Sequence, residues 1–224
     1  MEIVVLEHEA DAPAGFLGDW ARERRHRVRT VAVAAGEPIP RLTHGQALVS
    51  LGSERSVHSS RERWIAAELD HLRRAHEARV PILGICFGAQ ALAAALGGRV
   101  FRAPATSIAL EPVEVLDPRI TLAGPWLRWH EDVFALPPGA RIGARAGETP
   151  LAFASARSVG LQFHPEAGLE IARSWIRTER QQARAGAGGE RLSELEAQLV
   201  QDADQASSRA FELFDLIARH WNER

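Results

Sequence analysis

The chain has 224 residues, 46% of them apolar and 25% charged, with 27 basic and 29 acidic side chains and a formal net charge of −2. That length suits one large domain, and the near-balanced charge gives no field that would draw the chain to nucleic acid or anionic lipid. With one cysteine, no internal disulfide can form, so a secreted disulfide scaffold is excluded.

In chain order, residues 2–6, 28–34, 46–51 and 81–85 are runs of Val, Ile and Leu that read as buried strands. Between them, Pro13 to Arg25 and Arg61 to Arg79 are helical in pattern; Ile65, Leu69 and Leu72 set one apolar stripe at i, i+4 and i+7. Strand and helix in alternation predict an α/β fold: an open, mostly parallel central sheet with helices on both faces, in flavodoxin-like layering. After residue 98, short strands are expected at 99–102, 111–115, 126–130, 141–145, 151–155 and 158–163. Pro137-Pro138-Gly139 and Glu148-Thr149-Pro150 separate them. A helix follows from Leu169 to Ala183, then a joint at Gly186–Gly189, then a final helix over 190–221. In that helix Ala210, Leu213, Phe214, Ile217 and Trp221 share a face, so it is expected to pack back on a single domain spanning 1–224.

The acidic start Met1-Glu2-Ile3-Val4-Val5-Leu6 lacks the features of a signal peptide, and no apolar run approaches bilayer thickness. A cytoplasmic location is the expectation, with no membrane and no nucleic-acid partner. No H-E-x-x-H and no paired cysteines are present, so neither a metal nor another cofactor is expected.

The segment Pro81-Ile82-Leu83-Gly84-Ile85-Cys86-Phe87-Gly88-Ala89-Gln90 carries the most chemistry. An apolar strand runs into Cys86, an alanine-rich helix leaves it, and glycines stand two residues away on each side. That is the layout of a nucleophile elbow, a cramped turn that presents its side chain at the carboxyl end of the sheet. The helix N-terminus favours thiolate there, and the Phe87 N–H points where an oxyanion would develop. A cysteine nucleophile needs a base, and the base needs a partner to fix its tautomer. Ser158-Val159-Gly160-Leu161-Gln162-Phe163-His164-Pro165-Glu166 supplies both. In extended chain His164 and Glu166, two apart, would point the same way.

Together, Gly84–Gln90 and Phe163-His164-Pro165-Glu166 resemble the class I (triad) glutamine amidotransferase family. Leu6-Glu7-His8 with Gly15, Gly36-Glu37-Pro38, and Trp129-His130-Glu131-Asp132 with Leu136-Pro137-Pro138-Gly139 resemble free-standing members similar to the glutaminase domain of GMP synthase. The resemblance runs from residue 1 to about 180. It implies hydrolysis of the glutamine side-chain amide through a γ-glutamyl thioester, with release of ammonia for a separate acceptor such as a synthetase subunit. Cys86 would be the nucleophile, His164 the base and then acid, and Glu166 the group that orients it. Phe87 would give one oxyanion N–H and the Gly52-Ser53 turn the other. Gln90 would sit near the substrate's α-carbon groups, and His130 and Asp132 would line the pocket mouth. Two departures bear on the substrate: Ser53 where a second glycine is frequent, and Ser107-Ile108-Ala109-Leu110 where Glu-Ile-Gly-Trp is frequent. A γ-glutamyl peptidase using the same three residues on a larger γ-glutamyl amide is the alternative, followed by a silent regulatory subunit. The chain has no G-x-x-x-x-G-K-[ST] loop with which to activate an acceptor itself.

Overall fold

Alternate residues of the central strands are apolar on both sides, which requires that both faces of their sheet be covered. In a computed structural model, which describes residues 1–43, 45–59, 61–182 and 189–223, they are. Strands β1 (Glu2–Glu7), β2 (Arg27–Ala32), β3 (Gln46–Ser50) and β4 (Ile82–Ile85) form a parallel array with β10 (Ser158–Leu161), in the order β2-β1-β3-β4-β10. Three antiparallel strands continue it beyond β10: β9 (Thr149–Ser155), β8 (Arg141–Ala146) and β6 (Glu114–Val115). Ile3, Val5, Val49, Leu83 and Leu161 face α1 (Gly15–Glu23) and α5 (Gly189–Asn222). Their neighbours Val4, Leu6, Leu48 and Ile82 face α2 (Arg63–Glu77) and α3 (Phe87–Ala95). This is the α/β fold with a mostly parallel sheet that the sequence predicts.

Three expectations need correction. Residues 28–34 were expected as a buried strand, but β2 is the sheet edge: Arg27, Val28, Arg29 and Thr30 are exposed, and Val33 turns into a 3-10 segment. Charged side chains on an edge strand discourage pairing with another chain. The strand expected at 99–102 runs on to Glu111 as a long arm, β5 (Val100–Glu111), paired antiparallel with β7 (Trp126–Phe134) in a two-stranded sheet of its own, and the strand expected at 111–115 is reduced to the end of that arm and the two-residue β6. An irregularity between Arg102 and Ser107 breaks its alternation, which explains why sequence periodicity divides it. The strand expected to run to 163 ends at Leu161.

Helix α4 (Leu169–Gln182) packs on α5 and β7 through Ala172, Ile176, Leu192, Leu195 and Leu127. On α5, Ala210, Leu213, Phe214, Ile217 and Trp221 are buried, and Trp20 of α1 donates to Asp215 at 2.8 Å. The joint at Gly186–Gly188 and residue Ala183 lie outside the described residues. No described helix is long and apolar enough to cross a membrane.

Candidate active site

Cys86 connects β4 to α3 with φ +51°, a backbone region that a residue with a Cβ adopts only when its surroundings force it. Several contacts supply that force. The Cys86 N–H donates to the Leu161 carbonyl at 2.7 Å, and the Gly88 N–H donates to the Leu51 carbonyl at 3.1 Å. A Cβ on Gly84 would stand 2.4 Å from the Gly88 carbonyl oxygen, and one on Gly88 would stand 2.0 Å from the Ser50 carbonyl oxygen. Both glycines are therefore needed for close approach of backbone to backbone. Among the described residues, the N–H groups of Phe87 and Ser53 donate to nothing.

His164 arrives from the chain just beyond β10, its own N–H bonded to the Leu127 carbonyl at 2.8 Å. Pro165 and Glu166 then form a turn rather than extended chain. The turn still brings the Glu166 carboxylate back to the ring, 2.7 Å between Oε1 and Nδ1. Helix α1 holds the turn from behind: the Phe16 N–H donates to the Glu166 carbonyl at 2.9 Å, and a Cβ on Gly15 would lie 2.2 Å from that carbonyl oxygen. Trp175 sets its ring edge-on to His164 with centroids 4.8 Å apart, closing that side to water.

Cys86 and His164 flank one residue. A Cβ on Gly52 would lie 3.1 Å from His164 Cε1 and 3.9 Å from Cys86 Cβ. With Nδ1 engaged by Glu166, Nε2 is buried with no hydrogen-bond partner among the described residues, and Cys86 stands close enough to act on the ring. Burial alone would lower the His164 pKa. The Glu166 carboxylate beside Nδ1, and after it the neighbouring Cys86, outweigh burial and hold the ring well above the usual imidazole range.

A cavity of about 530 Å3 opens over the sulfur and takes Cys86, His164, Gly52, Ser53, Gln90, His130 and Asp132 into its lining. Of the positions singled out from sequence, all but Phe87 and Glu166 line it, though not all are free to bind a ligand. The Gln90 amide nitrogen donates to the Asp132 carbonyl at 2.9 Å, so its donor is already engaged. Asp132 accepts from the Ser56 hydroxyl at 2.6 Å. His130 lies in a strand rather than a loop, and its Nδ1 is 3.1 Å from the Asp132 carbonyl. Burial, then the nearby His164, push the His130 pKa down to about 4, so this ring is neutral at pH 7. In β5, Thr106 and Ile108 line the cavity, whereas Ser107 and Ala109 fall on the alternate positions.

Sequence reasoning missed three residues. The Gln162 amide donates toward the Cys86 sulfur at 3.7 Å, and its position two before His164 was the available signal. The Trp129 carbonyl accepts from the same sulfur at 3.6 Å, and Trp175 covers His164; nothing in their local pattern separates them from core aromatics. Among the described residues no group of three or more His, Cys, Asp or Glu side chains could hold a metal ion.

Comparison with known proteins places the chain in a family and a fold. The model of the glutamine amidotransferase class-I family matches residues 48–179, which include Cys86, His164 and Glu166. A GMP synthase (glutamine-hydrolyzing) of Aeropyrum pernix is 34% identical over 186 residues, covering 72% of this chain and 34% of that protein. The glutamine amidotransferase-like protein YfeJ of Salmonella typhimurium is 28% identical over 207 residues, 86% of each chain. The chain thus spans about a third of the Aeropyrum GMP synthase. In fold it is similar to the crystal structure of a glutamine amidotransferase from Thermotoga maritima, with a TM-score of 0.86, 22% identity, and coverage of 100% of this chain and 99% of that one.

Proposed function

Because the chain belongs to the glutamine amidotransferase class-I family, we propose that it hydrolyses the side-chain amide of glutamine, with Cys86 as nucleophile. The observation that carries the proposal is the meeting of Cys86, on its strained turn, with a His164 ring bound to Glu166 at 2.7 Å. An imidazolium beside a sulfur stabilises the thiolate, the form that attacks. The thiolate attacks the amide carbon, and the carbonyl oxygen becomes an oxyanion held by the Phe87 and Ser53 N–H groups. His164 gives its proton to the amide nitrogen, the C–N bond breaks, and ammonia leaves. The γ-glutamyl thioester remains on Cys86. His164, now neutral, takes a proton from water, whose oxygen attacks the thioester; glutamate is released and the ion pair is restored.

In this reading the ammonia passes to a separate acceptor, for which a cytoplasmic synthetase subunit is the fitting partner. No cofactor takes part. The supporting relatives include a GMP synthase described as glutamine-hydrolyzing. The test is ammonia release from L-glutamine, with Cys86→Ala as control: the wild-type protein releases it and the variant, still folded, does not.

One observation favours a second reading. The cavity of about 530 Å3 lies within the roughly 300–1,000 Å3 of pockets that take drug-sized ligands, more room than one amino acid fills. A γ-glutamyl peptidase would use it for the group beyond the scissile bond. Fast cleavage of γ-glutamyl dipeptides with none of glutamine would decide for that reading.

A further inference from the structure

A second buried set of titratable side chains lies directly behind the cavity wall. His8, just past β1, is 5% exposed, while Glu68 on α2 and Ser50 at the end of β3 are wholly buried. His8 Nε2 is 2.8 Å from Glu68 Oε2, and the Ser50 hydroxyl donates to Glu68 Oε1 at 2.6 Å. The other ring nitrogen, Nδ1, is 3.2 Å from the carbonyl oxygen of Gly52. The ring stacks on Trp64 at 4.9 Å and meets the edge of Phe87 at 5.0 Å. A carboxylate on the buried face of a helix costs stability relative to an apolar side chain, so what it holds in place matters.

The protons fix the geometry. A carbonyl only accepts, so Nδ1 carries a hydrogen and donates to Gly52. On the other side of the ring Nε2 is within hydrogen-bond distance of Glu68. Glu68 thus fixes the ring's orientation, and the ring sets the direction of the Gly52 carbonyl. In a trans peptide the N–H points opposite to the carbonyl. Drawing the Gly52 carbonyl into the buried network therefore turns the Ser53 N–H to the cavity side. The next link is held as well: the Ser53 hydroxyl donates to Glu9 at 3.0 Å and accepts from the Arg55 N–H at 3.1 Å. Phe87, whose N–H is the second free donor, rests its ring against the same imidazole.

We infer that His8, held by Glu68, is a positioning residue that locks the Gly52–Ser53 peptide and the Phe87 turn into a preformed oxyanion hole. The inference rests on the reading that these two N–H groups receive the oxyanion. It makes the site one that does not need to flip a peptide before reacting.

Two isosteres separate the contacts. The amide nitrogen of Asn stands where Nδ1 stood, and that of Gln where Nε2 stood. His8→Asn keeps the tether to Gly52 and loses Glu68; His8→Gln keeps Glu68 and loses the tether. With L-glutamine as substrate, His8→Gln should lower kcat about 100-fold, the cost of one oxyanion donor. KM should stay within about threefold, because the donor acts on the transition state. His8→Asn should keep most of kcat. Glu68→Gln, which can still donate to Nε2 and accept from Ser50, should keep it too and carries the comparison if His8→Asn fails to fold. Alkylation of Cys86 by iodoacetamide, which forms no oxyanion, should proceed at the wild-type rate in His8→Gln. Crystal structures of the variants give a readout independent of turnover: the Gly52–Ser53 peptide should be rotated in His8→Gln and unchanged in Glu68→Gln. A wild-type protein inert toward glutamine would count against the proposed activity, and the peptide orientation would still decide this inference. It is overturned if His8→Gln keeps the peptide in place, keeps kcat within about threefold, or loses alkylation along with turnover.

Discussion

Removing the Glu166 carboxylate should disable the site without dismantling it. Glu166 is 2% exposed, its Oε1 is 2.7 Å from His164 Nδ1, and its Oε2 has no hydrogen-bond partner among the described residues. Breaking a buried ion pair by deleting one partner costs about 3–5 kcal/mol when the survivor must stay charged. His164 can instead shed its proton, so the stability cost in Glu166→Ala should fall well short of that range. The chemical cost is larger. Burial pulls the ring's pKa down, and the Glu166 charge is the first of the effects that hold it up. Without that charge the ring's pKa falls, and each unit lost is a factor of about ten in the protonated fraction once pH exceeds pKa. The thiolate loses its partner, so iodoacetamide should label Cys86 more slowly at pH 7. We expect Glu166→Ala to lower kcat about 100- to 1,000-fold, less than Cys86→Ala or His164→Ala, since the orienting group matters less than nucleophile or base. Glu166→Gln should be worse than Ala, because its amide can donate to Nδ1 and put the ring's proton on the sulfur side. The assays are ammonia release, iodoacetamide labelling against pH, and urea denaturation. Turnover and labelling both unchanged in Glu166→Ala would refute the role given to this residue.

Gly88→Ala tests the elbow: its Cβ would meet the Ser50 carbonyl oxygen at 2.0 Å, so backbone must move by about 1 Å. Such overpacking should cost about 1–3 kcal/mol or more in urea denaturation and lower the Cys86 labelling rate; unchanged values for both would contradict the close approach. The neutral His130 should make the protein sensitive to acid. Its pKa of about 4 lies below the ordinary 6.5, so the unfolded state binds more protons between those values, and stability falls as pH drops through that window. His130→Asn, which can still donate to the Asp132 carbonyl, should show a shallower loss between pH 7 and pH 4.5 in urea denaturation; an equal loss would contradict the assignment.

The parts of the fold legible in sequence are those whose two faces are both buried. Strands β1, β3 and β4 read as apolar runs because helices cover each side, and Gly84 and Gly88 mark the elbow because backbone touches backbone there. The pair of β5 and β7 was legible only in part, at 99–102 and 126–130: its strands are partly exposed, irregular between Arg102 and Ser107, and of mixed polarity. Edge strand β2 carries arginines that a covered strand could not. In the site, Cys86, His164 and Glu166 declare themselves through local motifs. Glu68 hides because a carboxylate on a helix reads as a solvent-facing residue, and only the fold brings it to His8, 60 positions away. Trp175 acts through a contact that no short spacing encodes, whereas the place of Gln162 two before His164 was a local signal.

The central claim is that Cys86 becomes covalently attached to the glutamyl group of its substrate, and it can be weighed directly. Wild-type protein mixed with L-glutamine, quenched in acid within a turnover and digested for mass spectrometry, should carry one glutamyl group on the peptide containing Cys86. Hydroxylamine should remove it, as it does a thioester. Ammonia released while Cys86 never gains that mass, or a glutamyl adduct that survives in Cys86→Ala, would contradict the account.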